Sequence, residues 1–313
     1  MNDKIIIDQI VNKIIKGEGN YLPEELQFQK NYPDRIEFAL KLRQLNLSIW
    51  RGIDNYLIVP YNWTLDKICQ AKSLLGLERC VSAPQSAALA LFAKSDICGT
   101  ICIITDDKQS LEICIIEIGE GVFEVIFTAW VESDIEDITA VCNIIHGNIK
   151  IERIGQIIYI SDNSNSFHTA GFERFLGKPV LRLYGLANIC NYGIAIHKNS
   201  DALLLDVLLP NQTIYIQTPI GDVIPMVFAN TLIPTKKSKI FEVYGNCGII
   251  DLLILQGNNS ILANNSAIGI LHWDNVNDEK HEIDITVDID AKNRIHITGI
   301  DKVSGKMSSV KFG

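Results

Sequence analysis

The chain has 313 residues, 47% of them hydrophobic and 21% charged, and a net charge of -9. That length accommodates one to three domains with filled cores, and the negative balance argues against nucleic acid as the main partner. No apolar run approaches the ~18 residues needed to cross a bilayer.

The N-terminal Met1-Asn2-Asp3-Lys4-Ile5-Ile6-Ile7-Asp8 sets acids on both sides of a very short apolar run, unlike a secretory signal. Residues 1–17 carry apolar positions 5, 6, 10, 14 and 15 at helical spacing. Residues 17–33 are polar and punctuated by Pro23 and Pro33, which reads as a loop or boundary. Residues 36–50 read as an amphipathic helix, with Ile36, Leu40, Leu45 and Ile49 near one face. Tyr56-Leu57-Ile58-Val59 is a short buried strand closed by Pro60, and residues 65–75 are a helix ending at Gly76. Ala83-Pro84 opens an alanine-rich helix over 85–92, where the missing N–H of proline had no partner anyway.

Strands follow at 101–104 and 111–118, with 121–125 beyond them. The connection Thr105-Asp106-Asp107-Lys108-Gln109-Ser110 reads as a polar hairpin turn. Ile157-Ile158-Tyr159-Ile160 is another strand, and Ser161-Asp162-Asn163-Ser164-Asn165 the turn after it. Asn191-Tyr192-Gly193-Ile194-Ala195-Ile196 reads as a helix of small residues. From Leu208 onward the text becomes β-like, with short alternating runs at 213–217, 222–227, 239–244, 249–255, 282–289 and 294–300. Lys236-Lys237-Ser238-Lys239 reads as a solvated turn, and Asp290-Ala291-Lys292-Asn293 as a hairpin turn.

The eight cysteines contain no Cys-x-x-Cys pair, and most lie in apolar text such as Ile101-Cys102-Ile103. They read as reduced core residues of a cytosolic protein. His272, His281 and His296 lack the paired spacing of a zinc site.

Residues 201–207, Asp-Ala-Leu-Leu-Leu-Asp-Val, join the two halves. By itself this run could be any short buried segment. Other segments accompany it in order. They are Val59-Pro60-Tyr61, Val81-Ser82-Ala83-Pro84-Gln85-Ser86-Ala87-Ala88-Leu89-Ala90, Ile233-Pro234-Thr235-Lys236-Lys237-Ser238 and Asp288-Ile289-Asp290-Ala291. Together they resemble the heat shock protein 70 (DnaK) chaperone family, over roughly residues 36–129 and 149–313. In that family an actin-like ATPase domain is joined by a Leu-Leu-Leu-Asp linker to a β-sandwich that holds peptides.

The resemblance implies an α+β multidomain chain. A reduced actin-like (ribonuclease H-like) α/β ATPase domain would span 1–200, with 1–35 an unassigned helical or loop start. Leu203, Leu204, Leu205 and Asp206 would lie in a linker at 201–207. An antiparallel β-sandwich peptide-binding domain would span 208–313, without the family's helical lid because the sequence stops at Gly313.

The nucleotide motifs of the family are degenerate here. Its acid next to the metal-bound water is replaced by Ala83, which can neither accept a proton nor hold water by charge. Its glycine-rich phosphate turn is replaced by residues 105–110, which lack glycine and set Asp106 and Asp107 where phosphates would sit. Those acids could hold Mg²⁺, but an ordinary turn is the simpler reading. Ser161 and Asp162 stand where the family has a glycine pair near the adenosine. About fifteen residues between Trp130 and Gly147 leave no room for the lobe that clamps adenine.

The family's peptide-pocket residues match Ile216, Phe241, Ile250, Leu252, Ile283 and Ile285. Gln217 and Thr218 would pair with the peptide main chain, and Tyr244 and Pro219 stand at the arch over it. The plainer alternative is that these are inward-facing sandwich residues. The implied function is ATP-independent, chaperone-like binding of extended apolar segments of unfolded proteins in the cytoplasm, with no cofactor, no nucleic acid and no membrane partner. Two alternatives stay open. One is a regulatory scaffold that binds chaperone partners such as co-chaperones through the linker and first domain. The other is a weak residual ATP-dependent chaperone using ATP and Mg²⁺. Whether the chain is an enzyme is left open, although the degenerate motifs point away from it. Purified chain is expected to show no magnesium-dependent ATP turnover above a no-protein blank. Turnover abolished by substituting Asp106 and Asp107 would contradict this reading.

Overall fold

A computed structural model describes residues 52–53, 56–64, 68–69, 71–72, 79–93, 97–106, 110–132, 138–161, 168–199, 201–258 and 265–312. The helices expected over 1–17 and 36–50 lie outside the described residues. The chain divides into two units, one of Met1–Leu57 with Lys67–Arg79 and one of Ile58–Asp66 with Cys80–Gly313. In the first, β1 (Gly52–Ile53) pairs antiparallel with the start of β2 (Tyr56–Val59), and 68–69 and 71–72 are helical.

The second unit is mostly β-sheet with helices, an α+β architecture of several sheets. β3 (Arg79–Ser82) runs into α1 (Ala83–Phe92). Ser82 caps this helix with a complete capping box in which Gln85 reaches back to the Ser82 N–H at 2.9 Å. Next come β4 (Gly99–Asp106), β5 (Ser110–Gly119) and β6 (Val122–Glu132), a meander of antiparallel neighbours. α2 (Ile138–Asn148), β7 (Gln156–Ser161), α3 (His168–Leu176), β8 (Val180–Leu183) and α4 (Leu186–Asn199) complete this half. β7 pairs parallel with β4, and β8 parallel with β7.

β9 (Leu203–Leu205) then adds itself parallel to the far side of β6, giving the order β8-β7-β4-β5-β6-β9. The near-continuous apolar text of β4 and β5 follows from burial on both faces, as expected of a sheet covered on each side. On one face Cys102, Ile104, Ile113 and Tyr159 pack with Val141 and Phe172 of α2 and α3. α1 lies against β4 and β5 and packs on α4. Each fully buried isoleucine contributes roughly 1.5–3 kcal/mol.

The remaining strands form a sandwich of two four-stranded antiparallel sheets. One has the order β11-β10-β13-β14, from β10 (Thr213–Gln217), β11 (Val223–Val227), β13 (Ile249–Gly257) and β14 (Ser266–Asp274). The other has the order β12-β15-β16-β17, from β12 (Thr235–Tyr244), β15 (Lys280–Ile289), β16 (Ile295–Asp301) and β17 (Met307–Phe312). The basic run 236–239 is therefore not a turn but the first half of edge strand β12, with Lys236 opposite Asp288. Its residues are exposed on both faces, which lets lysines sit at inward positions and blunt a free sheet edge.

The crossing of α1 and α4 depends on close backbone approach. Ser86 Oγ donates to the Cys190 carbonyl at 2.6 Å, and a Cβ added to Gly193 would lie 1.8 Å from the Ser86 carbonyl oxygen. In an open helix Gly→Ala stabilises by roughly 1 kcal/mol. Here the sign should reverse, because the atom in the way is backbone. Gly193→Ala is expected to lower stability by about 1–3 kcal/mol, as other overpacking substitutions do. Denaturant titration reads this directly, and a stabilised variant would show the crossing to be looser than described.

Candidate functional site

Three regions hold the residues that the sequence singled out. At the junction between the halves, Leu203, Leu204 and Leu205 stand opposite Val122, Phe123 and Glu124, and the Leu203 N–H donates to the Gly121 carbonyl at 2.9 Å. Leu203 is 53% exposed, so the strand is held by its main chain and by the half-buried Leu204 and Leu205. Asp206 follows at once. Its carboxylate accepts from Gln85 Nε2 and from the Val207 N–H at 2.7 Å, while its carbonyl accepts from the Ile233 N–H at 2.9 Å.

A second tie runs from the sandwich to the first sheet. Asn230 Oδ1 accepts from the Thr128 N–H (2.8 Å) and Oγ1 (2.6 Å), and its Nδ2 donates to the Thr128 carbonyl at 3.1 Å. Asn230 sits at φ +62°, a left-handed conformation that asparagine tolerates better than most residues.

Of the positions matched to a nucleotide site, Ala83, Asp106 and Ser161 are among the described residues, and Asp106 and Ser161 meet. Asp106 closes β4 instead of standing in the turn. It is buried, and its carboxylate accepts from Tyr159 Oη (2.6 Å) and Ser161 Oγ (3.2 Å). Ser161 is itself the last residue of β7. Ala83 is buried in the first turn of α1, where its carbonyl meets Cys190 Sγ. Asp107 and Asp162 lie outside the described residues. Nearby, buried Glu112 accepts from the Tyr61 N–H at 2.9 Å. Glu112, Tyr61, Gln85, Thr128 and Asn230 were not singled out from sequence. Only Gln85 carried a signal, the Ser-x-x-Gln spacing of a capping box.

The sandwich residues fall into two sets. Ile216, Ile250, Leu252, Ile283 and Ile285 are fully buried and Phe241 nearly so, with Phe241 directly opposite Ile283 across the strand pair. Gln217 stands between Val223 on β11 and Leu253 on β13, so no free sheet edge runs past it. The Thr218 N–H and carbonyl are taken within their own turn, by Asp222 and Gly221 at 2.9 Å each. A peptide main chain therefore finds no open ladder at 217–218, because β10 is interior to its sheet.

Exposed at the same end of the sandwich are Ile220 (82%), Tyr244 (63%), Ile249 (41%) and Val303 (60%). The pairing register places them together. β10 runs toward the 218–222 turn, Tyr244 and Ile249 flank the 245–248 turn, and Val303 follows the end of β16.

Residues 184–312 match the family model described as Hsp70 protein. Over those residues, fewer than half of the chain, it is similar to the Hsp70 family. The match starts just after β8 and takes in α4, β9 and every strand of the sandwich, so the matched portion includes the junction as well as the β-domain. The match points to a chaperone-like function. Among the described residues no helix is long and apolar enough to cross a membrane. No group of three or more His, Cys, Asp or Glu among them is placed to hold a metal ion.

At the junction, burial lifts the Asp206 carboxyl from 3.8 to about 6, against the lowering effect of the Val207 and Gln85 donors. The folded chain thus binds this proton more tightly than the unfolded chain. The associated stability is complete below 3.8 and is lost as pH rises through about 6. Asp206→Asn keeps an acceptor for Gln85 without the charge. Its melting temperature is expected to match the unmodified chain near about pH 4 and to exceed it near about pH 7.5. A difference that does not change with pH would mean that the carboxylate is well solvated in the fold.

Proposed function

We propose that this chain is a chaperone-like relative of Hsp70 that binds extended, apolar segments of unfolded polypeptides without nucleotide control, at the rim formed by the 218–222, 245–248 and 302–306 turns. The observation that carries the reading is the set of exposed apolar side chains at that one end, Ile220, Tyr244, Ile249 and Val303. Beneath them lie Ile216, Phe241, Ile250, Leu252, Ile283 and Ile285 as the apolar floor. Recognition on this reading is by side chains over the rim and not by strand addition, since β10 has neighbours on both sides.

In this proposal 1–200 is a reduced actin-like domain, 201–207 the linker and 208–313 the peptide-binding domain. The order β6-β5-β4-β7-β8, with β5 antiparallel to the rest, supports the actin-like part of the reading. Independence from ATP is supported by Asp106 being engaged internally by Tyr159 and Ser161. The pairing of β9 with β6 supports a linker held in one docked state. The burial of Cys102, Cys114, Cys142 and Cys190, in a sequence without a Cys-x-x-Cys pair, supports a reducing, cytoplasmic setting.

A fluorescent leucine-rich peptide is expected to bind with micromolar Kd, equivalent to about −8 kcal/mol, and with the same Kd in the presence of ATP and Mg²⁺. Ile220→Asp combined with Tyr244→Ala removes two exposed side chains and should weaken binding at least about fivefold without lowering the melting temperature appreciably. Absence of saturable binding by the folded chain would favour the scaffold role.

A further inference from the structure

The rim does not hold itself. The 245–248 turn is fastened from behind by the 275–279 loop. The Gly245 N–H donates to the Glu279 carbonyl (3.2 Å), the Gly248 N–H to Asp278 Oδ1 (3.2 Å), and the Val276 N–H to the Gly248 carbonyl (3.1 Å). The two backbones touch, since a Cβ on Gly245 would lie 2.1 Å from the Asn277 carbonyl oxygen. Whatever fixes 275–279 therefore fixes the turn between Tyr244 and Ile249.

Lys306 Nζ ties the start of that loop, donating to the Asp274 and Asn275 carbonyls at 2.8 and 3.1 Å, and His281, at the start of β15 and 2% exposed, ties its middle. Its Nδ1 faces Asp301 Oδ2 at 3.0 Å, and its Nε2 faces Asn277 Oδ1 at 2.7 Å and the Asn277 carbonyl at 3.2 Å. Asn277 Nδ2 donates to Glu279 Oε2 at 2.9 Å, which settles which end of the amide meets the ring. Both imidazole nitrogens thus face oxygen atoms, Nδ1 that of the Asp301 carboxylate and Nε2 those of Asn277. Asp301 is fully buried and further held by donors from the next turn, the Val303 N–H (3.0 Å), the Ser304 N–H (3.2 Å) and Ser304 Oγ. Burial would raise its carboxyl, but Ser304, Val303 and His281 together hold it below the ordinary value. One imidazole consequently bridges the 302–306 turn to the 275–279 loop, and through it the 245–248 turn.

We propose that His281 is a positioning residue that sets the rim: its bridge between Asp301 and Asn277 locks the 275–279 loop behind the 245–248 turn and so fixes Tyr244 and Ile249. The geometric part stands on the hydrogen bonds alone, whereas its consequence for ligand rests on the peptide-binding reading above. An apolar side chain of similar volume would fill the site but leave Asp301 and Asn277 without their shared partner.

Amide hydrogen exchange on the full chain, unmodified and with His281→Phe, tests this. Exchange at Gly245, Gly248 and Val276 should rise about tenfold, the loss of one hydrogen bond to a charged group, while Ile285 and Val287 in the middle of β15 stay unchanged. Asn277→Ala removes the 2.7 Å side-chain partner from an exposed position while leaving the 3.2 Å carbonyl contact, and should give the same pattern at about threefold, which keeps the test decisive should His281→Phe not fold. Dissociation of the leucine-rich peptide should quicken about tenfold in His281→Phe and about threefold in Asn277→Ala. Unchanged exchange at Gly245 and Gly248 in a folded variant would overturn the proposal. Faster exchange there, in a chain whose unmodified form binds no peptide, would uphold the positioning role and retire the peptide-binding reading instead.

Discussion

One amide side chain joins the two halves of the described fold. Gln85 is the third residue of α1, and its Oε1 closes the capping box by accepting from the Ser82 N–H. Its Nε2 is then left free to donate to Asp206, the residue that ends the three-leucine strand. The N-terminus of a buried helix and the exit from β9 are fixed by the same group. Because Gln85 is buried, water offers its amide no ready replacement partner, so the two ends hold each other in place. The side chain of Asn230 on Thr128 repeats the device from the other direction, with three hydrogen bonds to a single residue.

Around that junction the two sheets solve different problems. The six-stranded sheet is covered on both faces, so its central strands carry isoleucine and cysteine at successive positions and its polar groups must find internal partners. Asp106, Glu112 and Ser161 do so. The sandwich is covered on one face of each sheet, so Ile283, Ile285, Val287 and Ile289 are buried while Asp284 and Asp288 between them are not fully so. Its apolar floor is closed, and Ile220, Tyr244, Ile249 and Val303 are exposed at one end, on turns that are tied to one another by backbone hydrogen bonds and by the buried His281.

These placements bear on function through geometry more than through reactive groups. A carboxylate that accepts from a tyrosine and a serine is occupied structurally, as Asp106 is, and contributes to the sheet more directly than to chemistry. A rim whose turns are strapped together presents its exposed side chains in fixed positions, which lowers the ordering entropy a partner must overcome.

Much of the architecture was legible in the residues alone. The alternation at 282–289, the Asp290–Asn293 turn, the proline signal at 84 and the apolar strands at 101–104 and 157–160 each follow from a local rule, and the structure contains an element at each. The segments around Leu203 to Asp206 and through the sandwich likewise carried the resemblance that the family match over 184–312 supports. Tertiary structure alone decided the rest. Ser266–Asp274 buries only Leu271 and Trp273, and a register shift at Ile254/Leu255 opposite it breaks the period-two signal. Met307–Phe312 is an edge strand with serines on its half-buried and exposed sides alike, so no apolar alternation marks it. The lysines of 236–239 look like a solvated turn until pairing with β15 makes them the edge of a sheet. The leucines of 203–205 could be read as buried or solvated, and only the free edge of β6 decides between them. Contacts such as Gln85 to Asp206 and His281 to Asp301 join residues 121 and 20 positions apart. A local pattern constrains how one segment folds, whereas the partner of a polar side chain is set by which distant segment the packing brings within hydrogen-bond reach.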